Sequence, residues 1–256
     1  MAQQDYSYIG KGRIFAGKRS GGGLLPVGNC SALTLTAEET KQELPDYTTP
    51  GGGTRNSVSR ISRVGMSMTA HDLSPQNLAM AYRGTVNEVD GGTSVTDERH
   101  TAYVGGLVAF DDMADISDTQ LVVVTRDPDG TASALVEGTD YTVTNAGIEV
   151  LEGGAVEDGD TLGIDYPRSA QTIMEALTDA GAEYKLVFDG LNEAQSGQAV
   201  VITAHRCKFS PTSSGFPAIG DEFAEMTIEG DVLIDTTVTG TGLSQFFRVA
   251  MANKAA

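Results

Sequence analysis

The stretch SALTLTAEE, residues 31–39, alternates apolar and polar side chains. The apolar side holds Leu33, Leu35 and Ala37, and the polar side holds Thr34, Thr36 and Glu38. Strict alternation is the period of a β-strand with one buried face. A second segment, residues 60–69 (RISRVGMSMT), alternates with a slip near Ser62 that indicates a bulge. These two segments predict successive strands of a mainly β fold.

The rest of the sequence extends this prediction. Its 256 residues include 31 Gly and no Trp, a composition typical of many short strands and turns. Further strand patterns occupy residues 184–188, 198–209, 225–235 and 246–251. Two segments predict helices. Residues 74–82 (SPQNLAMAY) have Ser at the N-cap and Pro in the first turn, and residues 169–181 (SAQTIMEALTDAG) have helical apolar spacing and a terminal Gly.

Acidic residues are concentrated in the middle of the chain. Residues 97–168 contain 16 acidic side chains against three arginines, which gives −13 of the total net charge of −18. Short alternating runs and Asp/Asn/Gly turns in this piece predict antiparallel strands. We therefore predict a small acidic β domain at 97–168, inserted into a core domain formed by residues 1–96 and 169–256.

No segment carries a recognisable chemical site. Residues 12–18 fit the glycine and lysine positions of a phosphate-binding loop, but Arg19 stands where Ser or Thr would hold Mg²⁺. The acidic residues 111–118 lack the calcium-loop pattern, and Cys30 and Cys207 have no paired spacing. We expect no enzyme activity, no catalytic or metal site and no cofactor.

Two segments suggest intermolecular contacts instead. Residues 44–58 (LPDYTTPGGGTRNSV) are too long and too rich in Gly for a tight hairpin, and they predict a mobile loop. The residues of this predicted stacking loop are Tyr47, Pro50, Gly51, Gly52, Gly53 and Arg55. The N-terminus carries four basic residues of a predicted flexible contact arm, Lys11, Arg13, Lys18 and Arg19.

The order of these parts is similar to that of a known family. A short arm (residues 6–12, YSYIGKG) precedes PVGNCS at 26–31, an alternating strand, a long loop, a second strand and the helix opening LSPQNLA at 73–79. This order resembles the major tail tube protein of long-tailed (siphovirus-type) bacteriophages over residues 1–95 and 182–251. The segment 97–168 departs from the minimal family pattern.

The resemblance implies a β-sandwich or small barrel with a flanking short helix. It also implies hexameric rings that stack into a tube, through which DNA passes without being bound. Partners would be further copies of this chain and the tape measure, tail terminator and tip proteins, with no membrane. The protein would be made in the bacterial host's cytoplasm and end in the virion tail. Alternation alone makes five polar residues candidates for the lumen, Thr34, Thr36, Glu38, Glu229 and Asp231.

Charge predicts where the acidic insert would lie in such a tube. Charge repulsion inside a narrow lumen would be large, whereas salt screens charges on the outer surface within ~8–10 Å. We therefore expect the insert outside the tube. Two other functions remain open, the inner tube of a type VI secretion system and a secreted β-sandwich adhesin or carbohydrate-binding module. The absence of Trp and of a leader-like start disfavours the last.

Overall fold

The structure, a computed structural model, describes residues 6–126, 133–213 and 215–253. Strands hold 52% of the described residues and helices 6%, which confirms the mainly β class. The chain divides into two compact units. We call Met1–Val86 with Met174–Ala256 the core unit, and Asn87–Ile173 the inserted unit.

The elements follow one another along the described residues in this order. The first part contains β1 (Gly10–Lys18), β2 (Leu25–Gly28), β3 (Cys30–Pro45), β4 (Thr54–Ala70), α1 (Pro75–Tyr82), β5 (Thr85–Val89), β6 (Ser94–Thr101), β7 (Leu107–Ala109), a 3₁₀ turn (Thr119–Leu121) and β8 (Val123–Arg126). The second part contains β9 (Ser133–Ala134), β10 (Tyr141–Thr144), β11 (Gly147–Val150), β12 (Thr161–Pro167), β13 (Gln171–Glu175), β14 (Glu183–Asn192), a 3₁₀ turn (Glu193–Gln195), β15 (Gln198–Phe209), β16 (Met226–Val232) and β17 (Phe247–Met251).

The core unit is built on one antiparallel sheet whose two ends are joined by a bent strand. The strand order is β2-β1-β14-β15-β16-β4-β3, and β17 also pairs with β15. The two end strands, β2 and β3, are separated in sequence by Asn29 alone. The sheet must therefore curl so that its two end strands meet at Asn29.

The bend between β2 and β3 is held by side chains from outside the strands. Gly28 has a φ of 95°, and the Asn29 amide donates to the Asp72 carboxylate at 2.8 Å. The buried Asn77 side chain on α1 donates to the carbonyls of Val27 and Asp72, at 2.6 and 2.7 Å. The helix is thus tied to the place where the chain turns from one sheet edge to the other.

Apolar side chains of alternate residues point into the curled sheet and meet α1 there. Fully buried examples are Met68, Leu186, Cys207, Met226 and Ile228. The predicted helix at 74–82 is confirmed, with the Ser74 hydroxyl accepting from the Asn77 amide at 3.2 Å and the chain leaving the helix at Arg83. Within the described residues, no helix has the length and apolar character needed to span a membrane.

The second predicted helix, at 169–181, is wrong. Residues Gln171–Glu175 form β13, which pairs with β5, and Leu177 has a positive φ of 62°. Thr172 and Ile173 are β-branched and favour the extended backbone once a partner strand is present. Helical apolar spacing in this segment was therefore overridden by its pairing with β5.

The inserted unit has two antiparallel sheets around a hydrophobic core of its own. Their strand orders are β10-β11-β7 and β6-β12-β8-β9. Ile148 and Leu162 are buried in this core, and the Tyr166 ring stacks on Phe110 with centroids 4.4 Å apart. The unit begins ten residues before the predicted boundary at 97 because β6 starts at Ser94 and pairs with β12. It contains 18 acidic residues and three arginines, which is −15 of the net charge of −18.

The bend predicts an asymmetric response of two glycines to the same substitution. Gly28 and Gly22 both have positive φ, 95° and 109°, but a Cβ at Gly28 would overlap the Asp72 carboxylate while a Cβ at Gly22 would meet open space. Gly22→Ala should therefore lower the free energy of unfolding only by the cost of backbone strain, roughly 1–2 kcal/mol. Gly28→Ala should lose at least about 1 kcal/mol more in urea unfolding, because Asp72 must also move. Equal losses in the two variants would show that Asp72 does not hold the bend.

Candidate functional site

The most conspicuous surface feature is a two-stranded extension of β3 and β4. The strands pair from Cys30 opposite Ala70 to Pro45 opposite Thr54, but β16 pairs with β4 only from Gly65 onward. We call residues 38–63, which lie beyond the β16 pairing, the hairpin arm. With about eight residue pairs at 3.3–3.4 Å each, the arm extends roughly 25 Å from the sheet.

The arm exposes both of its faces. Residues 36–45 and 54–63 are all exposed, including Leu44, Val58 and Ile61, which are 50–56% accessible. Its charges balance, with four acidic residues against Lys41 and three arginines. An isolated two-stranded hairpin is marginally stable in water. A ribbon of this length with apolar groups on its surface is the kind of element that gains stability by packing on a partner.

The loop predicted at 44–58 is shorter than expected. Leu44 and Pro45 belong to β3, and residues 54–58, including Arg55, belong to β4, so only residues 46–53 form the tip. The tip contains the predicted residues Tyr47 and 50–53. Its first residue, Asp46, accepts hydrogen bonds from the Thr48 hydroxyl and amide and from the Thr49 hydroxyl, which lower the pKa of Asp46. The tip is therefore an eight-residue turn, shorter than the loop predicted at 44–58.

The predicted flexible basic arm is also wrong as a structural element. Lys11, Arg13 and Lys18 belong to β1, which pairs with β14 along its whole length, from Gly10 opposite Asn192 to Lys18 opposite Tyr184. Arg13 lies 3.7 Å from Asp189, and Lys18 lies 3.5 Å from Asp179. Ile14 and Ala16 are buried between these cations, so the alternating apolar residues placed the segment in the sheet.

The five lumen candidates share one polar face of the sheet. Thr34 lies opposite Ser67, which lies opposite Glu229. In the next row Thr36 lies opposite Gly65, which lies opposite Asp231. Arg63 completes the group by contacting Asp231 at 2.5 Å and Glu38 at 3.2 Å. The structure thus brings all five together on the face opposite the buried core, which alternation predicted for each strand separately.

Several strand edges of the core unit have no partner among the described residues, and two of them belong to one section of the sheet. β17 pairs with β15 on one side only, and the Gly10–Arg13 half of β1 pairs with β14 only, because β2 reaches just Ile14–Ala16. These edges lie on opposite sides of a four-stranded section, β17-β15-β14-β1. Sequence reasoning missed both edges, since strand order is set by distant pairings.

One possible metal-binding group lies in the inserted unit. Ligand atoms of Glu98, His100 and Asp111 lie within 4.8 Å of one another. The Glu98 carboxylate, however, already accepts from the Tyr166 hydroxyl at 2.6 Å and the Asp111 amide at 2.9 Å, and it contacts His100 Nε2 at 2.7 Å. Although burial opposes them, these bonds lower the pKa of Glu98. The group is thus accounted for as the anchor of the buried Tyr166.

The cysteines are packed thiols rather than reactive groups. Cys207 is fully buried, and burial raises its pKa to about 12. Cys30 is half-buried, and burial followed by the nearby Asp72 raises its pKa as well. Thiolates are the nucleophilic form, so neither environment activates sulfur.

The fourth basic residue of the predicted arm, Arg19, is used inside the core unit. Its guanidinium lies 2.5 Å from the Asp235 carboxylate, which is only 5% exposed, and it also approaches Glu183. Asp235 accepts in addition from the Thr237 hydroxyl at 2.7 Å. Hydrogen bonds from Thr237 and then Arg19 lower the pKa of Asp235 to about 2, against the opposing effect of burial.

This lowered pKa predicts a specific acid sensitivity. A depressed pKa contributes stability above the unfolded value of about 3.9, and that contribution is lost as the pH falls toward 2. Asp235→Asn should lower the free energy of unfolding by about 2–3 kcal/mol at pH 7, because Arg19 loses a charged partner. Between pH 4 and 2 the free energy of unfolding should then fall less in Asp235→Asn than in wild type. The control Asp189→Asn, an exposed pair with Arg13, should cost at most about 1 kcal/mol. Parallel pH profiles for Asp235→Asn and wild type would contradict this assignment.

Comparison with known proteins places the chain in a family. No curated protein matches its sequence. A family profile described as "Protein of unknown function UCP028589" matches residues 7–250. This match spans parts of both the core unit and the inserted unit, including β3, β4 and the hairpin arm. The chain therefore belongs to this family of proteins of unknown function.

Proposed function

We propose that this protein is a structural subunit that assembles with copies of itself into rings, which stack into a tube of the phage tail type. The observation that carries the proposal is the hairpin arm, which extends roughly 25 Å with both faces exposed. DNA would pass through the tube without being retained, since a net charge of −18 disfavours binding to phosphates. Tape measure, terminator and tip proteins would be its further partners in the virion tail.

The arm supports stacking of rings. It occupies one end of β3 and β4, so an arm that packs on the next ring makes a contact between unlike surfaces of identical subunits. Such heterologous contacts repeat without closing and build open filaments. The exposed Leu44, Val58 and Ile61 supply apolar contact area, and the balanced charges of the arm add no net repulsion between acidic subunits.

The open edges support closure of a ring. An unpaired edge exposes backbone donors and acceptors that pair readily with another chain. Because β17 and β1 lie on opposite sides of the same four-stranded section, pairing β17 of one copy with β1 of the next would continue the sheet from subunit to subunit. Six such steps would close the hexameric ring that the resemblance implies. The polar face carrying Thr34, Thr36 and Glu229 is then the candidate lumen surface.

A proline in β17 tests the edge pairing. The Ala252 amide donates to Ala199 at 2.9 Å, and donors alternate along the strand, so the Ala250 amide faces β15 while the Val249 amide faces the open edge. Val249→Pro should therefore leave the subunit folded but abolish rings and tubes in electron micrographs and light scattering. Ala250→Pro, the matched control, removes an internal bond and should lower the unfolding temperature. Normal assembly of Val249→Pro would exclude β17 as the joining edge.

Shortening the hairpin arm tests stacking. Residues 41–59 lie between the paired Thr40 and Arg60, and all of them except the half-buried Asp46 are exposed, so an Asn-Gly turn can replace them without touching the core. The shortened protein should keep its unfolding temperature and form no tubes.

A second variant separates the tip from the arm strands. Replacing residues 46–53 by Asn-Gly, between the paired Pro45 and Thr54, removes Tyr47 and the three glycines but keeps the strands. Loss of tubes in this variant would assign the contact to the tip, and retention would assign it to the strands. Normal tubes from the shortened arm would contradict a stacking role altogether.

A further inference from the structure

Residues 215–225, which lie directly before β16, expose large apolar side chains to solvent. In residues 215–225 (GFPAIGDEFAE), Ile219 is 99% exposed and Phe223 is 100% exposed. Phe216 is 56% exposed. We call this segment the apolar loop. Large apolar groups in water that lie together on one short segment mark a binding element rather than scattered surface residues.

The root of this loop is fixed although its middle is exposed. The Thr212 amide donates to the Ala81 carbonyl at 2.7 Å, and the Thr212 hydroxyl donates to the Thr227 carbonyl at 2.7 Å. Met226, directly after the loop, is fully buried. The loop is therefore presented from a rigid base at the end of α1 and the start of β16.

The core unit also contains an apolar cavity of about 330 Å³. It lies between α1, the turn joining β1 to β2, and Tyr184. Apolar lining comes from Leu25, Pro26, Val27, Met80 and Val86, and Lys18 contributes a cation. Cavities that hold small ligands span roughly 300–1,000 Å³, so this one suits one or two large apolar side chains.

The loop and the cavity complement each other in polarity and charge. Ile219 and Phe223 flank Asp221 and Glu222, so the loop offers apolar groups next to two carboxylates. The cavity offers an apolar interior next to the Lys18 ammonium, which lies 3.5 Å from Asp179 and whose side chain is still 45% exposed. Since Ile219 and Phe223 are 99% and 100% exposed in their own chain, a second copy is the occupant that this matched pair selects.

We propose that the apolar loop of one copy inserts Phe223 or Ile219 into the α1 cavity of a second copy. The contact joins unlike surfaces, so each copy donates one loop and accepts another, as a closed ring or a filament requires. The inference rests on the proposed self-assembly and names a contact within it that is separate from the hairpin arm and from the β17 edge.

Two variants of the full chain separate donor from acceptor. The double variant Ile219→Ser with Phe223→Ser removes the donor groups from an exposed loop and keeps the cavity. Leu25→Glu places a carboxylate at the cavity, at a residue that is 62% exposed, and keeps the loop. The matched control is Leu24→Glu, an exposed neighbour that does not line the cavity. All three changes lie at exposed positions, and circular dichroism with thermal unfolding verifies folding.

The test measures binding and complementation. A fluorescent peptide of residues 215–225 should bind the double-serine chain. It should bind equally well to a double-serine chain that also carries Leu24→Glu. It should bind at least tenfold more weakly to a double-serine chain that carries Leu25→Glu instead. The double-serine and Leu25→Glu chains should each fail to form tubes alone, and an equimolar mixture should form dimers in light scattering, because each supplies what the other lacks.

The outcomes separate this contact from the proposed function. Two results would overturn this inference without affecting the proposed tube. They are tubes formed by the double-serine chain and equal peptide binding by the Leu25→Glu and Leu24→Glu chains. Peptide binding with no dimer in the mixture would assign the loop to the cavity of its own chain and would also overturn it. Specific binding and complementation, with no rings or tubes from the wild type, would support this contact and reject the proposed function.

Discussion

The core unit depends on one bend, the turn at Gly28 and Asn29 that carries the chain from β2 at one end of the sheet to β3 at the other. A residue with a Cβ cannot easily take this backbone and would meet Asp72. Asp72 instead holds the Asn29 amide, and Asn77 on α1 holds the carbonyls of Val27 and Asp72. With the bend fixed, the sheet curls, its apolar face closes on the helix, and its polar face is left outside.

The same bend determines which backbone groups remain unpaired. Since β2 ends at the bend, it covers only the middle of β1 and leaves Gly10–Arg13 open. Since β3 and β4 continue past β16, they form the hairpin arm without a further strand to cover it. Unpaired edges and uncovered ribbons are available for pairing with another chain, and the proposed homo-oligomer would cover them.

The two units differ strongly in net charge. The inserted unit carries 18 acidic residues with three arginines, whereas the core unit carries 17 acidic and 14 basic residues. Several charges in the core unit are paired, as in Arg63 of β4 with Asp231 of β16 and in Arg19 with the buried Asp235. In the proposed tube, a nearly neutral core unit would allow copies to approach closely, and a strongly acidic inserted unit would keep finished assemblies apart in solution.

The amino-acid sequence by itself determined the features that depend on neighbouring residues. Alternation assigned β3 and β4 and placed Thr34, Thr36 and Glu38 on the polar side, and Ser74 with Pro75 marked the start of α1. Prediction from the sequence failed where the local pattern was ambiguous. Residues 171–175 were compatible with a helix as well as with a strand. Residues 54–58 were predicted as part of a loop, because their pairing with β3 lies across an eight-residue turn. Only the tertiary structure decided the strand order, the open edges, the length of the hairpin arm and the cavity beside α1. Each of these arises from contacts between residues far apart in the chain, such as Gly10 with Asn192, and no local periodicity encodes them.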